Sequence, residues 1–209
     1  MQGRRSYSSP LRSAHTEDTR ERILAATYTL LGQGDADDVT IDMIAAEAGI
    51  QKRTIFRHFE NREALFDAFW VWLNRKLDLS TLPQTAEDLV AGPKTAFPRF
   101  DEADGVIRAS IHSPSGRAMR VRATAARRDA FAAALASHLS GVEPDAAQRA
   151  EALAHLLYSA PAWEVLKDYG GMTGTQAGHA AAWALDLILS AISSGEKTKA
   201  DVSSERTGE

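Results

Sequence analysis

Thr40-Ile41-Asp42-Met43-Ile44-Ala45-Ala46-Glu47-Ala48-Gly49-Ile50-Gln51-Lys52-Arg53-Thr54-Ile55-Phe56-Arg57-His58-Phe59, running on through Glu60-Asn61-Arg62-Glu63-Ala64-Leu65, is the stretch that decides the fold. Ile41, Ile44, Ala45 and Ala48 recur at helical spacing, and Thr40 stands where its hydroxyl can cap the free N–H groups of the helix they define. Gly49 follows the last periodic residue, where a tight turn needs positive φ, and a second short helix begins near Gln51. Ile55 and Phe59, four apart, turn inward, which leaves Gln51, Lys52, Arg53, Arg57 and His58 on the outer side. Two short helices crossing at an angle, with small Ala45 suited to the crossing, form a helix-turn-helix. Between Gln51 and Arg62 stand four basic residues against one acid, Glu60, although the whole chain carries a net charge of −4. Positive charge is therefore concentrated on the element that fits a major groove.

The residues Thr40-Ile41, Ile44-Ala45, Ala48-Gly49-Ile50, Thr54-Ile55-Phe56, His58-Phe59 and Arg62-Glu63, with Leu65, resemble in identity and spacing the TetR family of bacterial transcriptional regulators. The likeness is strong over roughly residues 16 to 66 and weaker beyond. Gln51 stands where that family usually has Ser, Phe56 where it usually has Tyr, and Arg62 where it often has Lys. Phe56 lacks the phenolic hydroxyl that in the family commonly reaches a phosphate; Arg62 keeps the charge. The resemblance implies a homodimeric DNA-binding regulator, a repressor released from a palindromic operator by a small organic effector held in the carboxy-terminal helices. Thr40, Lys52, His58 and Arg62 are then expected to anchor phosphates, and Gln51, Arg53, Thr54 and Arg57 to read bases, with Phe56 between them.

The rest of the chain is consistent with an all-α protein. It has 209 residues, enough for a small head and a larger body, and its alanine-rich helical periodicity holds few clustered β-branched residues. No cysteine is present, so disulfides and thiolate chemistry are excluded. Met1-Gln2-Gly3-Arg4-Arg5-Ser6 leads into polar residues and no apolar run is long enough for a bilayer, so a cytoplasmic protein is expected. Residues 1–15 read as a mobile basic start, with Arg4, Arg5 and Arg12 available for a minor groove; 16–62 as the DNA-binding head; 63–194 as the ligand-binding and dimerisation domain; and 195–209 as a polar disordered tail.

Within the head, a helix is predicted from Thr16 to Gln33 on the stripe Ile23, Ala26, Leu30 and Leu31. Asn61 is placed to cap a helix from Arg62 to about Leu79. Pro83, Gly92-Pro93, Pro98, Gly105 and Pro114 then punctuate shorter helices at about 84–91, 95–103 and 104–112. Longer ones are expected from Ser115 to Ser140, from Pro144 to Tyr169 with a kink at Pro161, and from Thr175 to Ser193.

Leu153, Leu156, Leu157 and Ala160 on one of the last two helices, with Ala180, Trp183, Ala184, Leu187, Ile188 and Ala191 on the other, give more apolar surface than one small core needs. Such a face can form a four-helix bundle with its own copy; the plain alternative is a hairpin closed within one chain. Phe66, Phe69, Trp70, Phe97, Phe100, Ile111, Met119, Phe131, Tyr158 and Trp163, with His112 for polar contact, are candidates to line an effector pocket, although such a residue taken singly is more often plain core. Arg117, Arg120, Arg122, Arg127 and Arg128 wrap their helix and read as a solvated surface with local pairs to Asp129 or Glu151. Gly170-Gly171-Met172-Thr173-Gly174 lacks the Lys-Ser/Thr of a phosphate loop. No histidine pair has metal-ligand spacing and no serine sits in a nucleophile elbow, so neither a metal, a cofactor nor an enzyme is expected. The rival reading is an all-α small-molecule carrier without sequence-specific DNA recognition.

Overall fold

The computed structural model describes residues 10–33 and 38–193. Among them the fold is all-α: α1 (Pro10–Gln33), α2 (Ile41–Glu47), α3 (Lys52–His58), α4 (Arg62–Lys76), α5 (Ala86–Glu102), α6 (Asp104–His112), α7 (Pro114–Leu139), α8 (Pro144–Leu157), α9 (Ala160–Asp168) and α10 (Gly174–Ser193). Arg4, Arg5 and the tail from residue 194 lie outside the described residues. The described residues form two compact units, one of residues 10–33, 38–80 and 103–122, the other of 81–102 and 123–193.

In the first unit α1 packs against α2, α4 and α6, and α2 against α3. Ile23, Leu31, Ile44, Ile55, Leu65, Phe66, Phe69 and Trp70 are fully buried there, each removal from water stabilising the fold by about 1.5–3 kcal/mol. Helix α1 starts at Pro10, six residues ahead of the expected Thr16, because proline at a first helical position loses no hydrogen bond and has φ already set. Both α2 and α4 end in the same manner. After α2, Ile50 N–H donates to Ala45 O at 2.9 Å and Gly49 N–H to Ala46 O at 3.1 Å, with Gly49 at φ 64°. After α4, Leu79 N–H donates to Asn74 O at 2.7 Å and Asp78 N–H to Arg75 O at 3.0 Å, with Asp78 at φ 50°. These paired bonds satisfy the last carbonyls, and Asp tolerates the left-handed conformation well enough to close α4 short of Leu79.

The second unit is organised by α10 lying on α5. Gly178 comes so close that a Cβ built on it would stand 2.5 Å from Pro93 O, and one on Gly174 would meet Phe97 O. This contact explains why α5 is one helix through Pro93 and Pro98, where breaks were expected. Each proline forfeits a backbone bond, but the burial of Leu89, Pro93, Ala96, Phe97 and Phe100 offsets the loss. Pro161, by contrast, ends a helix instead of kinking one. Ser159 caps a new start by accepting from Ala162 N–H at 3.3 Å, which puts Pro161 in the first turn of α9.

Asp101 ties α5 to the elements around it. Its carboxylate accepts from Trp163 Nε1 at 3.0 Å, Lys167 Nζ at 2.8 Å and the Gly174 N–H at 2.6 Å. Burial alone would push the carboxyl pKa up, but the bonds from Lys167, Gly174 and Trp163 together bring it below the ordinary value. Asp101→Ala is expected to lower the free energy of unfolding by about 3 kcal/mol, read from urea denaturation, because three donors lose a charged acceptor. A loss within the scatter of neutral surface substitutions would show that the carboxylate is dispensable.

Candidate nucleic-acid interface

Two short helices with few internal hydrogen bonds cannot hold their own angle, so other residues must fix it. Thr40 accepts from Met43 N–H at 3.2 Å and starts α2, yet its hydroxyl proton remains free to donate, so capping and phosphate contact are compatible. Asn61 accepts from Ala64 N–H at 2.8 Å and starts α4. From α1, Arg22 Nη2 donates to Ala48 O at 2.6 Å, while Arg20 Nη1 donates to His58 O at 3.4 Å and its guanidinium lies 4.4 Å from the Phe59 ring. Two cations thus sit at the carbonyl ends of α2 and α3, where the helix dipoles favour them. Both were missed in the sequence, where Arg20 and Arg22 look like ordinary outer-face charges. Arg62 donates to Val39 O at 3.2 Å and stacks 4.4 Å from the Phe66 ring, bracing the segment that leads into α2.

Gln51, Lys52, Arg53, Phe56 and Arg57 are exposed, Thr54 is half-buried, and Ile55 and Phe59 are buried. Gln51 occupies the N-cap position of α3 without a side-chain bond to the helix, so its amide is not spent there. Lys52 Nζ lies 2.8 Å from Asp42 Oδ2, both exposed, a pair worth about 0–1 kcal/mol that a phosphate can displace. Phe56 shows 45% of its surface, a large apolar ring held in water on the cationic face. His58 is half-buried, and its Nε2 is out of reach of solvent with no hydrogen-bond partner. Burial depresses its pKa, the charges of Arg57 and Arg20 depress it further, and Glu17 opposes them weakly.

The candidate effector residues fall in both units. Phe66, Phe69 and Trp70 are buried together in the first, where Phe69 and Trp70 meet edge-on at 4.9 Å and Trp70 Nε1 has no partner. Ile111 and Met119 are half-buried and His112 is exposed. In the second unit Phe97, Phe100 and Trp163 form one aromatic group, and Phe131 meets Tyr158 at 5.3 Å in another. An open cleft of about 370 Å³ in that unit, lined by Glu87, Lys94, His138, Asp186, Leu189 and Ser190, includes none of them. Of the candidate dimer residues, Leu153, Leu156, Trp183 and Leu187 are exposed, Leu156 by 54% and Trp183 by 67%. Leu157, Ala160, Ala180, Ala184, Ile188 and Ala191 are half-buried. Val165 of α9 and Tyr169 just after it are exposed as well, and no sequence period singled them out.

The expected solvated arginine surface needs correction. Arg120 turns inward, donating to Ser110 O and, at 2.9 Å, to Ile111 O at the end of α6. Arg122 pairs with Asp67, and Arg127 is drawn into the second unit. Arg117, Arg122 and Arg128 remain exposed as expected, Arg122 in an exposed pair with Asp67. The carbonyl ends of α6 and α8, absent from a periodic pattern, are what recruit Arg120 and Arg127.

Residues 23–69 match the family described as bacterial regulatory proteins, tetR family. The uncharacterized HTH-type transcriptional regulator YdeS of Bacillus subtilis (strain 168) is 33% identical over 75 residues, a match that spans 35% of this chain and 38% of that protein. A tetR-family transcriptional regulator from Streptomyces coelicolor is similar in fold at TM-score 0.60 and 19% identity, over 86% of this chain and 84% of its own. A transcriptional regulator from Rhodococcus sp. Rha1 follows at 0.58 and 20%, over 82% and 96%. NalD, the secondary repressor of the MexAB-OprM multidrug efflux pump in Pseudomonas aeruginosa, is similar at 0.55 and 16%, over 83% and 96%. Among the described residues no helix is long and apolar enough to cross a membrane.

The state of His58 gives a pH dependence. Its folded pKa lies below the ordinary 6.5, so the unfolded chain binds the proton more readily; the stability His58 confers is complete above about pH 6.5 and is lost as pH falls toward the folded value. Urea midpoints taken between about pH 8 and about pH 5.5 should fall with pH in the native chain and fall less in His58→Gln. Identical slopes in the two would remove His58 from the account.

Proposed function

We propose that this chain, a member of the TetR family of bacterial regulatory proteins, is a cytoplasmic homodimeric repressor that a small organic effector releases from a palindromic operator. DNA binding is assigned to residues 16–62, and effector binding with dimerisation to 63–194. The observation that carries this reading is α3 itself. Gln51, Lys52, Arg53 and Arg57 stand on its exposed side while Ile55 and Phe59 hold it down. Seven residues make a rod about 10 Å long, which a major groove about 12 Å wide admits. Gln51, Arg53, Thr54 and Arg57 then face base edges, and Thr40, Lys52, Arg62 and the rim of His58 face phosphates.

The exposed apolar side chains of α8 and α10 are the proposed seat of a second copy, forming a four-helix bundle across a twofold axis. A twofold protein matches half-sites about 34–36 Å apart. Release requires an effector that favours the non-binding arrangement; moving a population from 1:99 to 99:1 takes about 5.5 kcal/mol of differential affinity. An effector that binds both arrangements equally would release nothing.

Gel shifts against the DNA upstream of the chain's own gene test the reading. Arg53→Ala is expected to cost about 1–3 kcal/mol on the operator and to relax base choice. Arg62→Ala should weaken all duplexes alike and flatten the salt slope by about one. Equal losses on operator and random DNA for both variants would contradict these roles. Trp183→Glu should yield monomers by sedimentation velocity; a native chain that is already monomeric would refute the twofold assembly. A second reading, a carrier that does not recognise DNA, is favoured by the exposed Phe56 ring without a hydroxyl and by Asp42 occupying Lys52. Absence of any retarded band at low salt would select it.

A further inference from the structure

Arg127 is a cation drawn into the second unit without an acid to meet it. Its Nη2 donates to Tyr158 O at 2.7 Å, and its guanidinium carbon lies 5.3 Å from the centres of both the Phe131 and Tyr158 rings. Nε is out of reach of solvent and donates to nothing. No carboxylate among the described residues forms an ion pair with it. Asp88 of α5 is felt by Tyr158 and Glu151 of α8 by His155, while Arg128 adds a second positive charge nearby. The His155 ring stacks on Phe131 at 4.3 Å, and burial together with Arg127 and Arg128 keeps its pKa low, so it adds no charge of its own near neutrality. The site is therefore positive, aromatic and short of one anion. Buried arginines are ordinarily matched by an acid because an isolated charge in a poor dielectric is strongly destabilising.

The single bond Arg127 makes is itself replaceable. In a continuous helix Tyr158 O would receive the Ala162 N–H, but at the break between α8 and α9 that N–H turns to Ser159, leaving the Tyr158 carbonyl to the guanidinium. Nε and Nη2 lie on one edge of the guanidinium, the edge that a carboxylate engages with both oxygens. On that edge Nε has no acceptor and Nη2 holds a neutral carbonyl, a weaker acceptor than an anion.

We propose that Arg127 anchors the carboxylate of the effector, one oxygen taking Nε and the other displacing the Tyr158 carbonyl from Nη2, with an aromatic or aliphatic body lying against the half-buried rings of Tyr158 and His155, which cover Phe131. The class of ligand is a hydrophobic monocarboxylic acid. The inference rests on the reading that the helical domain holds a small-molecule effector, and it goes further in naming the chemistry and the anchor. It also connects occupancy to shape. Displacement of the Tyr158 carbonyl releases the junction of α8 and α9, and α8 carries Leu153 and Leu156 of the proposed dimer face.

The test uses the full chain with benzoate, phenylacetate and octanoate as probes, each paired with its neutral amide. Calorimetric titration should find at least one acid bound about tenfold or more tightly than its amide, and the Arg127 Nε–H resonance should move on adding that acid. Arg127→Gln should abolish the preference for acid over amide. Arg127→Lys, which keeps the charge and loses the fork, should retain only part of it and serves as the decisive variant if Arg127→Gln does not fold. Acids and amides binding equally, an unmoved Nε–H, or a preference that survives both substitutions would overturn the assignment, as would failure of all three acids to bind. Release of operator DNA by a neutral compound, unaffected by Arg127→Gln, would sink the carboxylate anchor and leave effector-controlled repression standing. A native chain that binds an acid through Arg127 but shifts no DNA would do the reverse.

Discussion

A fold of short helices is governed by the carbonyls at their ends, and in this chain arginine is the residue that answers them. Each helix leaves its last carbonyls without an internal partner, and burial of an unanswered carbonyl is destabilising. Arg22 serves the end of α2, Arg20 the end of α3, Arg62 the segment before α2, Arg120 the end of α6, and Arg127 the break after α8. A planar group with five donors on a long stem reaches such carbonyls from a neighbouring helix, which a lysine point charge does less well. The same bonds set direction: α2 and α3 are held from α1, so the exposed edge of α3 is presented by a scaffold and not by its own seven residues.

Charge spent on the scaffold is not available at the surface. Arg20 and Arg22 hold backbone, so the outward cationic edge consists of Lys52, Arg53 and Arg57, with Lys52 shared with Asp42, while exposed Arg62 gives one donor to Val39 O and keeps its charge at the surface. That division explains how an acidic chain presents a basic element without gathering its other cations there. The second unit shows the opposite economy. Asp101 concentrates three donors on one carboxylate, whereas Arg127, some distance along the chain, has no acid partner among the described residues.

Much of this was legible in the residues. Thr40, Gly49 and Asn61 mark helix ends through local chemistry, and each does in the structure what its side chain or backbone freedom predicts. Where an outcome depended on a distant element, the sequence was silent. Pro93 and Pro98 look like breaks until Gly174 and Gly178 bring α10 onto α5, a contact between residues some eighty positions apart. Pro161 looks like a kink until Ser159 takes over as a cap, and Arg120 and Arg127 look solvated until the carbonyls they seek are placed. The helix-turn-helix was readable because its determinants are all within one short stretch; the surroundings of the effector candidates were not, because several helices contribute them.

Trp183, with two thirds of its indole in water, has a further consequence for how the molecule can be observed. Trp70 and Trp163 are wholly enclosed, and Trp72 is held by both oxygens of Glu21, so these three report fixed surroundings. An indole in water emits at longer wavelength than one enclosed by hydrocarbon. If the proposed second copy covers this indole, dilution carries its own optical signal: a red-moving emission as the copies part, arising from a single side chain and needing no label.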